Sequence, residues 1–349
     1  MGLAYASGNR CGGTDVGVGD VHGTLTTATD ALRAAGIEDP RLDAEVLLEH
    51  ATGWDRARLA ANPEGEVPAA AARRFGEMVR RRLRREPVAY VLGAKWFRRI
   101  ELAVDPRVLI PRPETELLVE LALELRPRTV LDVGTGCGAI ALAIADELPA
   151  CAVTATDTSA AALEVARANA ARLGLADRVR FLEGAIPPAA ALPASESPPA
   201  AVPLPTEAPP PDEIHQPGGP VERLDAREHG ATVTGPGGAF DLVVANLPYV
   251  AEPDWDSLAP EVTEWEPREA LLAGPDGLDA IRALLPSVRL CISPRISRKN
   301  TKSAGGWVAL EVGDGQAAAV AAMLRDAGFT EIQTRRDLAG IERVVWGRR

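Results

Sequence analysis

Two short segments hold the residues best suited to chemistry. In the first, the apolar run Val130-Leu131-Asp132-Val133 ends in Gly134-Thr135-Gly136-Cys137-Gly138-Ala139. This order predicts a buried strand, a turn of three glycines and the start of a helix, a backbone that can approach a ligand without side-chain interference. The spacing also fits the dinucleotide pattern G-x-G-x-x-A. Asp157, at the end of the next predicted strand, places a carboxylate where a ribose diol could be gripped, whichever nucleotide is bound. The second segment is Val243-Val244-Ala245-Asn246-Leu247-Pro248-Tyr249-Val250. At the end of another apolar strand it offers the Asn246 side-chain oxygen and the Leu247 backbone carbonyl as two acceptors, and Tyr249 as a ring that could pack on a planar group.

Asp132 stands two residues before the first glycine, and an acid followed by x-G-x-G-x-G resembles the cofactor motif of S-adenosylmethionine-dependent methyltransferases. That ligand brings no pyrophosphate to a helix N-terminus, but an ammonium that can be bound near a carboxylate. Asn246-Leu247-Pro248-Tyr249 resembles the Asn-Pro-Pro-Tyr motif of amino methyltransferases, with Leu247 in place of the first proline. Amide and exocyclic amino nitrogens are poor nucleophiles because their lone pair is delocalised. An NH2 group held by Asn246 and Leu247 would turn that lone pair toward a sulfonium methyl, and the same acceptors would stabilise the positive charge developing on nitrogen.

The elements that must position these residues follow from periodicity. From Thr24 to about Glu86 the pattern is helical, with Phe75, Met78, Val79 and Leu83 on one face of the last helix. Asp39-Pro40 and Gly53 break the run into short helices. Seven arginines on the last helix (Arg73, Arg74, Arg80, Arg81, Arg82, Arg84 and Arg85) read as a solvated face opposing the helix dipole, with an anionic-partner patch as the alternative. Tyr90-Val91-Leu92 and Ile100–Val104 read as extended, a hairpin linking two domains. From Thr129 onward apolar runs alternate with helical segments, the mark of a mostly parallel sheet covered on both faces. Glu331–Thr334 and Arg343–Trp346 read as a closing antiparallel pair.

The organisation expected is therefore a disordered N-terminus (1–23), a small all-helical domain (24–87), a β-hairpin linker (88–111) and an α/β catalytic domain (112–349). Two insertions interrupt the last. Residues 187–220 hold 12 of the 29 prolines, and glycine-rich sequence continues beyond them; the segment 187–239 reads as a disordered insertion, because such composition buries too little apolar surface. A basic stretch makes 292–305 a second, short insertion.

Composition narrows the function classes. The chain has 349 residues and a net charge of −11, and residues 111–349 carry 22 basic against 34 acidic groups. Nucleic acid as a main ligand is disfavoured, since such binding rests on Lys and Arg contacts to phosphate. The four cysteines form no C-x-x-C pair, no apolar run reaches the length of a membrane span, and Met1 to Asp20 holds no apolar stretch of signal-peptide length. A cytoplasmic protein with reduced thiols and no membrane partner is expected. None of His22, His50, His215 and His229 falls in a motif, and no metal is expected.

Over nearly the whole chain from about residue 24, insertions apart, the sequence resembles the release-factor glutamine methyltransferases (the HemK/PrmC family). Besides the two motifs, the resemblance rests on Pro87-Val88-Ala89-Tyr90-Val91-Leu92-Gly93 and on Val104-Asp105-Pro106-Arg107-Val108-Leu109-Ile110-Pro111-Arg112-Pro113-Glu114-Thr115-Glu116. It continues in Trp265-Glu266-Pro267-Arg268, Gly274-Pro275-Asp276-Gly277-Leu278-Asp279 and Asp337-Leu338-Ala339-Gly340. It implies a Rossmann-like, seven-stranded class I methyltransferase domain behind a helical substrate-recognition domain. It further implies S-adenosyl-L-methionine as cofactor and methylation of the Gly-Gly-Gln glutamine amide in class 1 peptide-chain release factors.

Cofactor contacts are then expected at Asp132, Gly134, Thr135, Gly136, Cys137, Gly138, Asp157, Ile186 and Asn246. Substrate contacts are expected at Asn246, Leu247, Pro248, Tyr249, Arg112 and Glu116, the first four carrying catalysis. The family's acidic adenine contact after the third strand is missing, since Ala185 and Ile186 follow Gly184. The rival readings are an adenine-N6 DNA methyltransferase, which would need a DNA-recognition domain and a basic cleft, and a catalytically dead S-adenosylmethionine-binding protein.

Overall fold

A computed structural model describes residues 19–185, 240–292, 297–298, 301–302 and 305–349. Residues 1–18, Ile186 and the 187–239 segment lie outside the described residues.

The helical domain comprises α1 (Val21–Ala34), α2 (Pro40–Thr52), α3 (Arg56–Ala61) and α4 (Ala69–Leu83). Ordered structure begins earlier than the sequence suggests. Asp20 caps α1 by accepting from the Gly23 N–H at 2.6 Å, and Val21 is buried, so the domain starts at about residue 19 rather than 24. Pro40 occupies the first turn of α2, and Gly53 ends it in the left-handed conformation. Phe75, Met78 and Val79 pack inward from α4 against Leu47, Leu48 and Leu32 in a core separate from the catalytic domain's.

The arginine run divides: Arg73, Arg74, Arg80 and Arg84 are exposed, as a solvated face requires, while Arg81, Arg82 and Arg85 are drawn into ion pairs. Arg82 is buried and bridges Asp43 of α2 (2.7 Å) to Glu261 of the catalytic domain (2.8 Å). Arg85 joins the same Glu261 at 2.8 Å and donates to the Gly36 carbonyl, and Arg81 pairs with buried Glu86. A guanidinium with several donors in a fixed plane satisfies carboxylates and carbonyls together, which is why arginine holds this junction.

Residues 88–92 are helical, not extended. The helix α5 (Val88–Leu92) starts after Pro87 and is closed by left-handed Gly93, while the apolar triplet Tyr90-Val91-Leu92 packs between the cores. The hairpin follows it, β1 (Ala94–Phe97) against β2 (Ile100–Ala103).

The catalytic domain opens with a 3-10 turn (Pro113–Thr115) leading into α6 (Glu116–Leu125). There follow β3 (Thr129–Val133), α7 (Ala139–Glu147), β4 (Ala152–Asp157), α8 (Ala160–Arg172) and β5 (Val179–Glu183). After the undescribed segment come β6 (Leu242–Ala245), α9 (Pro260–Thr263), α10 (Asp279–Cys291), the two-residue strands β7 (Ser297–Arg298) and β8 (Thr301–Lys302), β9 (Trp307–Glu311), α11 (Ala317–Asp326), β10 (Thr330–Arg336) and β11 (Glu342–Arg348).

One sheet in the order β10-β11-β9-β6-β3-β4-β5 is parallel except for β11, which runs antiparallel to both neighbours. Alternate residues divide its two faces: Val130, Leu242 and Val244 pack under α6, α7 and α8, while Leu131, Val133, Val243 and Ala245 pack under α10 and α11. Being covered twice, the central strands read as continuous apolar runs. The chain winds outward from β3 through β4 to β5, then returns to the other side of β3 as β6. Strand order reverses there, and a crevice opens at the carboxyl ends of β3 and β6. Both chemical motifs lie at that edge. Among the described residues no helix is long and apolar enough to cross a membrane.

Candidate active site

The glycine turn leaves β3 with Gly134, Gly136 and Gly138 at φ of +74°, +57° and +89°, a region that side-chain-bearing residues rarely enter. The Gly134 and Thr135 N–H groups both donate to the Thr156 carbonyl at 2.9 Å, tying the turn to β4. A Cβ at Gly138 would stand 2.9 Å from Leu142 of α7, so this glycine is needed for packing. A Cβ at Gly136 would meet nothing within 4 Å. The open space over Gly136, beside a strand-end carboxylate, fits a nucleoside-bearing cofactor.

Asp132 works from beneath the turn. It is fully buried, and its Oδ2 accepts from the Thr135 hydroxyl at 2.6 Å and from the Ala141 N–H at 3.1 Å, while Oδ1 has no partner. Burial pushes its carboxyl up to about 7, against these two hydrogen bonds. A buried Asp132 and a Thr135 hydroxyl turned down onto it organise the loop from inside. Cys137 likewise packs into the core, its thiol pushed up to about 12 by burial, and its carbonyl accepts from Asn169. Of Thr135 and Cys137, therefore, the backbone is the part that follows the turn's edge.

Asp157, half-buried at the end of β4, accepts from the Gly136 N–H through Oδ2 (2.8 Å) and from the Ser159 N–H through Oδ1 (2.9 Å). Each carboxylate oxygen has a second lone pair, so two acceptor directions remain for hydroxyl groups. Ile186 lies outside the described residues.

Across the crevice, Ala245 pairs in register with Val133, which sets Asn246 beside Gly134. A Cβ at Gly134 would come within 3.1 Å of the Leu247 side chain, so the two motifs are in contact. Asn246, Leu247, Pro248 and Tyr249 are half-buried. The Asn246 Nδ2 donates to the Thr115 hydroxyl at 3.0 Å, which leaves Oδ1 free. The Tyr249 carbonyl accepts from Gln316 at 2.9 Å, and burial pushes the Tyr249 phenol up to about 12.

Arg112 is brought to the same place. With Leu109, Val250, Ala270 and Leu271 it lines a small pocket shared with Asn246, Leu247 and Tyr249. It is held by buried Glu266, whose other oxygen accepts from the Ile110 N–H. Glu116 is not brought in: its carboxylate accepts from the Arg98 N–H at the β1–β2 turn, where Arg98 has φ of +50°. A strained turn with an unpaired N–H takes the nearest carboxylate, and that draws Glu116 away from Arg112.

Reading the sequence misses three contributors. Thr115 is 3% exposed and bonded to Asn246; Glu266 holds Arg112; Glu311 is 2% exposed at the end of β9. A signal for Glu311 did exist: an acid closing the apolar strand Trp307-Val308-Ala309-Leu310, as Asp157 closes β4.

Comparison with known proteins gives the family. Residues 24–93 match the family described as the PrmC N-terminal domain, and residues 130–202 match a methyltransferase domain. The chain is 37% identical to a release factor glutamine methyltransferase of Caulobacter vibrioides, covering 92% of this chain and 94% of that one. It is 39% identical to its counterpart in Burkholderia pseudomallei (92% and 96%) and 36% identical to that of Koribacter versatilis (93% and 99%). With the glycine turn, the strand-end acid and the asparagine motif on one sheet edge, and relatives alike over more than nine-tenths of both chains, this chain belongs to the release factor glutamine methyltransferase family.

Proposed function

We propose that this protein transfers a methyl group from S-adenosyl-L-methionine to the side-chain amide nitrogen of the glutamine in the Gly-Gly-Gln loop of class 1 release factors. The observation that carries the reading is the contact between the Gly134 turn and the Asn246-Leu247-Pro248-Tyr249 segment at the reversal point of the sheet. The bound cofactor supplies a methyl group activated on a sulfonium.

The chain's own residues do the rest. Gly134, Gly136 and Gly138 keep the backbone thin where the cofactor would lie, and Asp157 offers its two remaining acceptor directions to the ribose hydroxyls. Asp132 fixes the turn's shape without touching the ligand. The substrate NH2 donates one hydrogen to Asn246 Oδ1 and the other to the Leu247 carbonyl, which turns its lone pair toward the methyl and stabilises the cationic nitrogen as the bond forms. Tyr249 packs on the planar amide, and Arg112, in the pocket beside it, faces the peptide. Replacing proline by Leu247 keeps the required carbonyl. No strong base is needed, because the methylated amide nitrogen is acidic enough to lose its proton to water.

The test is Asn246→Ala with purified release factor and radiolabelled cofactor. Turnover is expected to fall about 100- to 1,000-fold, the loss typical of one preorganised polar contact to a transition state. Cofactor affinity measured by calorimetry should change by less than about threefold, because the glycine turn and Asp157 are untouched. Wild-type turnover in this variant would refute the reading.

A further inference from the structure

We propose that Glu311 and Thr115 are positioning residues that fix which end of the Asn246 amide faces the substrate. The proposal rests on the function given above and adds two residues to its machinery.

A side-chain amide has nearly the same shape either way round, so a half-turn about its last bond exchanges an acceptor for a donor. Only one orientation serves here. With Oδ1 at the sheet edge, Asn246 takes a hydrogen from the substrate NH2; with Nδ2 there, it presents a second NH2 to the first. The contact that decides between them is Nδ2 to the Thr115 hydroxyl at 3.0 Å. A threonine alone does not settle the matter, because its hydroxyl either accepts from Nδ2 or donates to Oδ1.

Glu311 removes that freedom. It ends β9, the strand paired with β6, one residue beyond the Ala245–Leu310 register pair, and so lies beside Asn246 on the neighbouring strand. It is buried beside both Thr115 and Tyr249, whose hydroxyls are the hydrogen-bonding side chains that stabilise its ionised form. Glu114 and Arg343 are the other charged groups facing it. Above about pH 7 its carboxyl is ionised and only accepts. With the Thr115 proton directed to Glu311, the Thr115 oxygen is left to accept, and Nδ2 is the donor in reach. The polarity then runs one way from Glu311 through Thr115 to Asn246, and Oδ1 is what remains for the substrate. The same carboxylate orients the Tyr249 phenol.

Stability does not explain this acid. Its Oε2 has no hydrogen-bond partner, and burial pushes the carboxyl up to about 7, so it costs the fold free energy where an apolar residue would contribute. Thr115 lies within the Pro111-Arg112-Pro113-Glu114-Thr115-Glu116 segment, and the chain from Glu311 gives the end of that segment a role in the site.

Full-length protein assayed at pH 8 with purified release factor tests this. Thr115→Val, which keeps the shape and loses the hydroxyl, is expected to lower kcat about 10- to 100-fold, and Glu311→Gln about 5- to 50-fold. In both, KM for the release factor and cofactor affinity should stay within about threefold of wild type, with cooperative melting retained. Thr115→Ser should recover most of what Thr115→Val loses. Because the two residues act in series, the double variant should be no slower than the worse single variant by more than about threefold. Multiplying losses, a serine variant as slow as the valine one, or either single variant with kcat within twofold of wild type overturns the proposal. So does a variant whose loss tracks only a lowered melting temperature. Failure of the wild-type protein to methylate release factor would instead sink the function proposed above, so the two failures are distinguishable.

Discussion

At the scale of single residues, the two strand-end acids beside the glycine turn do different work. Asp157 is half-exposed and holds the turn from the ligand side; Asp132 is sealed beneath it. For Asp157→Ala, the proposed ribose contact and the Gly136 N–H bond are lost together. Cofactor affinity should fall by about 2–3 kcal/mol, with unchanged calorimetric affinity refuting the role. Asp132 makes a pH prediction. Its folded-state value of about 7 stands above the ordinary 3.8, so the stability it contributes is full below about pH 4 and is lost as pH rises to about 7. Asp132→Asn keeps an acceptor for Thr135 and Ala141 and does not ionise. The melting temperature of that variant relative to wild type should therefore climb by roughly 3–6 °C between pH 4.5 and pH 8. Parallel curves across that range would show that Asp132 does not change its charge on unfolding in this way.

At the scale of elements, the loops after β6 and β9 and the turn before α10 close on one another through tightly fitted glycines. Gly277 has φ of +73°, and a Cβ there would stand 2.2 Å from the Tyr249 carbonyl; Gly313 would press on the Tyr249 ring at 3.2 Å. The Gly274-Pro275-Asp276-Gly277 turn is thus the outer wall of the asparagine motif. Gly277→Ala should cost about 2–4 kcal/mol of stability and lower kcat more than cofactor affinity, since the displaced group is Tyr249. Denaturant unfolding and binding calorimetry on the same preparation check both parts. The sequence showed the strands and long helices of the catalytic domain because buried parallel strands are continuous apolar runs. It misled at Tyr90-Val91-Leu92, three residues apolar enough for a strand, where Pro87 and Gly93 fit a one-turn helix between two cores. A run that short carries no period by which helix and strand could be told apart.

At the scale of the molecule, the helical domain is fastened to the catalytic domain by Glu261, on α9 just beyond the asparagine motif, gripped by Arg82 and Arg85. Removing Arg82 takes away the guanidinium paired with Asp43 and leaves Glu261 with Arg85 alone. Arg82→Ala should destabilise the protein by about 3 kcal/mol, the cost typical of breaking a mostly buried ion pair from one side. Cofactor affinity at a permissive temperature should stay within about twofold, because Arg82, Asp43 and Glu261 share no hydrogen bond or ion pair with the glycine turn or Asp157. Differential scanning calorimetry and binding titrations read the two effects separately, and a stability within 0.5 kcal/mol of wild type, roughly that of a surface substitution, would contradict the clamp.

The sequence by itself determined the layered α/β architecture, the glycine turn on its strand, the strand-end Asp157 and the asparagine motif. Each of these is local: a period of two or of 3.6, a glycine where φ is positive, a motif read within a dozen residues. Tertiary structure alone decided the partners. Glu116 pairs with the Arg98 N–H instead of joining Arg112, and Arg82 of α4 turns inward to Asp43 and Glu261. Thr115 meets Asn246 across 131 positions of sequence, and Glu311 ends the strand beside them. A side chain's partner is set by which strands become neighbours when the sheet reverses its order, and that arrangement leaves no pattern in the residues on either side.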